Sequence, residues 1–146
     1  MTPELKAGRL VLRSLQPGDA SAIHRLINDW SVVRMLSRLP FPYPRELAEQ
    51  WIDSTRRDSA QGSAHHFAMT RDGALLGAIA LVLSDDRRSG SLGYWLAPTE
   101  WGQGLTTQAG QRVVEWGLTV LRLEKITADA AQDNVASAAV LGKLGF

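Results

Sequence analysis

The hydrophobic pattern begins with Arg9-Leu-Val-Leu-Arg-Ser-Leu15, where Leu10 and Leu12, and more loosely Leu15, lean toward alternation and Val11 faces the other way from Leu10 and Leu12. That period of two predicts a strand. Pro17-Gly18-Asp19 breaks it, and Asp19 stands where the cap of a helix running to about Asn28 is expected. Within that helix Ala22, Ile23, Leu26 and Ile27 share a face. A second short helix is predicted from Val32 to about Leu39, ending before Pro40-Phe-Pro-Tyr-Pro44, because three prolines in five residues cannot continue a helix. From Arg45 to about Arg57 the pattern is helical again, with Leu47, Ala48, Trp51 and Ile52 aligned. Three short helices around a proline-rich bend suit one wall of a pocket or plain packing against a sheet.

The middle of the chain reads as β-structure. His66-Phe-Ala-Met-Thr70 and the apolar run from Ala74 to Leu83 flank Arg71-Asp72-Gly73. Asp-Gly between apolar runs predicts a hairpin, since both turn residues must tolerate positive φ. A second turn from Ser84 to Gly90 leads into Ser91-Leu-Gly-Tyr-Trp-Leu-Ala97, a third antiparallel strand. After Pro98, Gly102-Gln-Gly104 opens a helix from about Thr106 to Leu121, with Ala109, Val113, Trp116, Gly117 and Val120 along its inner face. Lys125-Ile-Thr-Ala-Asp-Ala130 is a weaker strand, and Asn134 stands where it would cap a last helix from Val135 to Leu144, ended by Gly145. This order, with no repeat or linker, predicts one α+β domain: helices, an antiparallel run, then a strand–helix–strand–helix tail.

Composition narrows the partners. The chain has 146 residues, close to the size of one domain, and its 45% hydrophobic and 21% charged residues are ordinary globular usage. Sixteen Lys and Arg against 15 Asp and Glu leave a net charge of +1, which supplies no electrostatic pull toward nucleic acid or an anionic membrane. The absence of cysteine excludes disulfides, thiolate metal sites and Cys nucleophiles, and three histidines argue against a catalytic zinc site, so no metal is expected. No apolar stretch reaches the roughly 18 residues of a membrane span, and Met1-Thr-Pro-Glu-Leu-Lys6 lacks a signal-peptide pattern. A cytoplasmic protein is the expectation.

The chemistry concentrates in Tyr94-Trp-Leu-Ala-Pro-Thr-Glu-Trp-Gly-Gln-Gly-Leu-Thr-Thr107, where a strand ends, a glycine loop follows and a helix begins. The first amides of a helix lack internal acceptors and carry the positive end of its dipole, so such a loop suits phosphate. Alone, it equally suits a structural strand-to-helix turn. A dinucleotide fingerprint fails because Thr107 stands where the third glycine belongs, and neither a P-loop nor a G-x-S-x-G elbow occurs. Glu100 reads as a solvated loop charge, and His65 and His66 as packing or surface residues rather than a base.

The loop from Pro98 to Thr107, then Asn134-Val-Ala-Ser137, then Leu141-Gly-Lys-Leu-Gly-Phe146 resemble the GNAT superfamily of acetyl-CoA-dependent N-acetyltransferases, and within it the branch that acetylates ribosomal-protein N-termini. The resemblance runs from the Arg9 strand to the end of the chain. It implies a three-layer α/β arrangement, with a mixed, mostly antiparallel twisted sheet flanked by helices. It implies acetyl-CoA as co-substrate, its pyrophosphate cradled by amides of Gly102, Gln103, Gly104, Leu105, Thr106 and Thr107. Trp95 and Leu96 would pair with the pantetheine arm at a splay in the sheet, where a backbone amide can polarise the thioester carbonyl. Asn134 would hold the cofactor, cap its helix, or do both.

Two positions depart from the family pattern. Thr106 puts a β-branched side chain where little room is expected, and would either offer its hydroxyl to phosphate or weaken binding. Leu141 replaces the tyrosine that many members use as general acid, so the resemblance moves the hydroxyl near the sulfur to Ser137, as against a helix serine bonding its own backbone. The expected reaction is direct attack of a primary amine, either a protein N-terminus or a small molecule, on acetyl-CoA in a ternary complex. The alternatives are a catalytically impaired CoA-binding module and a plain α+β interaction domain. Family members continue beyond the last helix with about two more strands. A C-terminally truncated member is therefore expected, with an exposed sheet edge through which a homodimer would form.

Overall fold

The computed structural model describes residues 3–29, 43–100 and 103–128; the helices predicted over 32–39 and 135–144 lie outside them. The elements run β1 (Leu5–Ala7), β2 (Leu10–Ser14), a 3-10 turn (Pro17–Asp19), α1 (Ala20–Ile27), α2 (Arg45–Gln61), β3 (Ala64–Arg71), β4 (Ala74–Leu83), β5 (Ser89–Leu96), a second 3-10 turn (Pro98–Glu100), α3 (Leu105–Thr119) and β6 (Lys125–Ala128). The six strands lie side by side in sequence order. β1 to β5 are antiparallel, and β6 runs parallel to β5. A parallel neighbour requires a crossover, which α3 supplies.

Alternation along the strands builds two cores. Ala68, Ala78 and Trp95 are successive register partners across β3, β4 and β5. They pack with Ile23, Ile27, Ala48 and Ile52 of α1 and α2. The intervening positions Phe67, Met69, Ile79 and Leu81 pack with Val113 and Trp116 of α3. Helices thus cover both faces of the sheet, the expected α+β arrangement in three layers.

Several boundaries and roles differ from the sequence reading. The first predicted strand is β2, and β1 precedes it through a turn at Gly8 (φ 61); a three-residue strand is too short for a periodicity test. Asp72 (φ 52) and Gly73 (φ 83) form the expected turn between β3 and β4. α2 runs on to Gln61, where Gly62 caps it in the left-handed conformation (φ 72).

Asp19 does not cap α1 with its side chain. Its carboxylate instead accepts two hydrogen bonds from Arg13, both at 2.9 Å, and one from the Gln16 amide at 2.8 Å. Val120 is not on the inner face of α3: the helix ends at Thr119 and Val120 is 63% exposed. Arg122 (φ 57) then turns the chain, and Leu123 takes the buried place.

Candidate functional site

β5 delivers the chain to the glycine loop. The Ala97 amide donates to the Leu76 carbonyl at 2.9 Å, extending the β4–β5 ladder by one residue before the Pro98–Glu100 turn. Gly104 then caps α3 with φ 75, a left-handed conformation that glycine adopts without strain. Having no side chain, Gly104 gives the helix no side-chain cap bond. The first backbone bond of α3 is from Gln108 N–H to the Gly104 carbonyl at 3.1 Å. That leaves the amides of Leu105, Thr106 and Thr107 without intrahelical acceptors at the positive end of a 15-residue helix.

The side chains of this first turn divide. Leu105 is buried and joins the core beneath α3, and Thr106 is buried as well, so its β-branched side chain is accommodated by packing. The Thr107 hydroxyl is buried with no hydrogen-bond partner among the described residues. An unpaired buried hydroxyl costs about 1–3 kcal/mol, and this one lies in the same turn as the three open amides.

The strand leading to the loop is held close to its neighbour. Gly77 on β4 is the register partner of Leu96. A Cβ at Gly77 would overlap the Trp95 carbonyl and lie 2.9 Å from the Leu96 Cα. Trp95 is buried on the α1–α2 side and Leu96 on the α3 side. On its other edge β5 pairs with β6 from Ser89↔Lys125 to Leu92↔Ala128, where the described part of β6 ends.

Glu100 is not a solvated charge. Its side chain is 14% exposed, and Arg71 Nη2 donates to both of its carboxylate oxygens at 2.9 Å. Gln103, next to the Gly104 cap, joins the same group. Its Nε2 donates to Glu100 Oε2 at 3.2 Å and to the Thr99 carbonyl at 3.5 Å, and its Oε1 accepts from Arg71 Nη1 at 3.3 Å. Arg71 stands at the end of β3, far from the loop in sequence, and no local signal pairs it with Glu100.

The histidines pack. His65 is buried edge-on to Trp116, ring centroids 4.9 Å apart, and burial, with a smaller push from His66, lowers its pKa to about 4. His66 lies edge-on to Trp51 with Nε2 3.4 Å from Asp58 Oδ2. Burial lowers its pKa although Asp58 pulls the other way. His66 also lines a cavity of about 280 Å³ with Ser14, Gln16, Thr55, Arg56 and Ser59. Arg56 there donates to Gln16 Oε1 at 2.9 Å, and the Thr55 hydroxyl to the Ile52 carbonyl at 2.7 Å.

The structure therefore brings Trp95, Leu96, Gln103, Gly104, Leu105, Thr106 and Thr107 together around one strand-to-helix junction. Gly102, Asn134 and Ser137 lie outside the described residues, as does Leu141. Among the described residues no group of three His, Cys, Asp or Glu could hold a metal ion, and no helix is long and apolar enough to cross a membrane.

Residues 9–146 match the family model described as an acetyltransferase (GNAT) domain. Spermidine N(1)-acetyltransferase of Escherichia coli (strain K12) is 29% identical over 136 residues, covering 92% of this chain and 71% of that protein. YdaF of Bacillus subtilis (strain 168), a ribosomal N-acetyltransferase by its provisional name, is 29% identical over 141 residues, covering 94% of this chain and 77% of its own length. A crystal structure described as that of a probable acetyltransferase superposes with a TM-score of 0.89 at 26% identity, over 99% of this chain and 83% of the other.

Proposed function

The chain belongs to the GNAT acetyltransferase family and is an acetyl-CoA-dependent acyltransferase; on that premise we propose that it acts as one acetyltransferase domain, moving the acetyl group of acetyl-CoA to a primary amine by direct attack in a ternary complex. One observation carries the reading of the site. Gly104 leaves the first turn of α3 with three amides lacking intrahelical acceptors and a Thr107 hydroxyl that has no partner among the described residues, all in one place. Donors in excess of acceptors at a helix N-terminus fit a diphosphate. In this reading the amides from Gly102 to Thr107 bind the pyrophosphate. The backbone of Trp95 and Leu96 lines the pantetheine arm, Asn134 holds the cofactor and Ser137 places a hydroxyl near the sulfur.

Bound acetyl-CoA supplies an activated thioester, and the chain's task is to position it and to let the amine lose its proton. Acceptor chemistry follows from pKa. An α-amino group near 7.7–8.0 is on the order of 10% neutral at pH 7, whereas a lysine near 10.4 is roughly 0.04% neutral. A protein N-terminus therefore reacts without a strong base. The two relatives bracket the choice, one named for a polyamine and the other for ribosomal protein. A net charge of +1 gives no pull toward a polycation, which favours the peptide N-terminus.

Calorimetric titration of the 146-residue chain with acetyl-CoA tests the reading. Micromolar binding, weakened by both Gly104→Val and Asn134→Ala, is expected. Thiol release with N-terminal peptides and with spermidine then identifies the acceptor. A folded chain that does not bind acetyl-CoA overturns the proposal, and binding with no transfer to either amine leaves a CoA-binding module.

A further inference from the structure

The loop that presents the open amides of α3 is braced by a residue from another part of the sheet. Arg71, the last residue of β3, donates from Nη2 to both oxygens of Glu100 at 2.9 Å and from Nη1 to Gln103 Oε1 at 3.3 Å. Gln103 closes the triangle by donating to Glu100 Oε2 at 3.2 Å. The three side chains tie the end of the β3–β4 hairpin to the Pro98–Glu100 turn and to the residue immediately before the Gly104 cap. The carboxylate at the centre is mostly buried, with its side chain 14% exposed.

Placed there alone, a carboxylate works against an anionic ligand. Glu100 reaches the residue adjoining the helix N-terminus, and an unneutralised charge in such a partly desolvated place repels a diphosphate over several ångströms. Arg71 removes that repulsion by a charge-assisted pair and, through Gln103, holds the backbone that enters the cap. The surface pair Arg45–Glu49 differs, with both side chains more than half exposed along one helix, where a salt bridge decides little.

We infer that Arg71 is a positioning residue for the diphosphate-binding loop: it neutralises Glu100 and fixes Gln103 so that the amides of Gly104 to Thr107 meet an anionic ligand. This inference rests on the acetyl-CoA reading of that loop. Arg71 spends its hydrogen bonds on Glu100 and Gln103 and so acts through the loop, and its expected effect is on the affinity for acetyl-CoA rather than on the chemical step.

The test measures Kd for CoA by calorimetry, and KM for acetyl-CoA and kcat with the accepted amine, for the full chain and for Arg71→Gln, Arg71→Lys, Arg71→Gln/Glu100→Gln, Gly104→Val and Arg45→Gln. Melting curves establish that each variant is folded. Arg71→Gln is expected to raise Kd and KM at least tenfold, with kcat within twofold. The double variant, which removes both charges, regains more than half of that loss on a logarithmic scale, and Arg71→Lys falls in between. Raising the ionic strength to about 1 M, where charges are screened within about 3 Å, narrows the ratio between Arg71→Gln and the parent chain. Arg45→Gln leaves all three constants unchanged. If Arg71→Gln lowers the melting temperature but leaves Kd and KM unchanged while Gly104→Val abolishes binding, Arg71 is merely structural and the inference fails alone. If Gly104→Val also binds CoA like the parent chain, the acetyl-CoA reading of the loop fails with it. Should Arg71→Gln not fold, Arg71→Lys decides by the same readouts.

Discussion

The carbonyl of Trp95 occupies the space in which a side chain on Gly77 would begin. The two strands meet there because Gly77 has no Cβ, and the contact sets the height at which β5 passes into the loop before α3. A methyl at residue 77 must push the Trp95–Leu96 backbone away or break its ladder with β4. Gly77→Ala is therefore expected to cost about 1–3 kcal/mol of stability, the usual price of overpacking, and to weaken acetyl-CoA binding. Urea denaturation and calorimetry read the two effects, and an unchanged denaturation midpoint would show that β5 yields without cost.

Thr107→Val separates folding from binding. The substitution keeps the shape of the side chain and removes a buried hydroxyl that has no partner among the described residues. Without ligand the variant is expected to be as stable as the parent or up to about 1 kcal/mol more stable. Its affinity for acetyl-CoA is expected to fall several-fold. Equal affinity in the two proteins would remove the hydroxyl from the cofactor site.

His65 makes the fold sensitive to mild acid. Its folded pKa, about 4, lies below the ordinary 6.5, so between those values the unfolded chain takes up a proton that the folded chain refuses. This contribution to stability is complete above pH 6.5 and is lost progressively as the pH falls toward 4, to a total of about 3 kcal/mol at 1.36 kcal/mol per unit. His65→Phe keeps an aromatic ring against Trp116 and removes the titration. Its stability should fall less than the parent's between pH 7 and pH 5, and identical slopes in urea titrations would refute the assignment.

The Arg13–Asp19 pair acts in a lower pH range. Burial by itself would raise the Asp19 pKa, but hydrogen bonds from Arg13 and the Gln16 amide, with the Arg13 charge, outweigh it and hold the carboxyl below its usual range. Stability from this pair is therefore present above the unfolded value near 3.9 and lost as the pH falls through the lower folded value. Asp19→Asn is expected to cost about 1–3 kcal/mol at pH 7. The gap to the parent chain should shrink at pH 3, and thermal melts at both pH values read the difference.

Local chemistry made much of this protein legible in its sequence. Asp72-Gly73 announced the β3–β4 hairpin because only residues tolerating positive φ close so short a turn, and the period-two and period-3.6 patterns placed β2, β3, β4, β5 and α1 to α3 within a few residues. Leu123 replaced Val120 in the core because helical periodicity says nothing about where the chain leaves the helix. The glycine loop was visible for the same local reason as the hairpin, since a strand, two glycines and a helix follow one another directly.

Sequence alone supplied the order of elements from β2 to α3 and the strand–glycine–helix junction at Gly104, because each depends on neighbours within a turn or a strand, whereas the short β1 escaped it. Tertiary structure alone decided the partners that cross the chain. Asp19 looks like a helix cap until β2 places Arg13 beside it, and Glu100 looks solvated until β3 carries Arg71 across to it. Gly77 reads as an ordinary strand glycine until β5 lays a carbonyl against it. Hydrophobic periodicity records which side of an element is buried, whereas an ion pair or a close backbone approach depends on the register between elements, and only the folded chain sets that register.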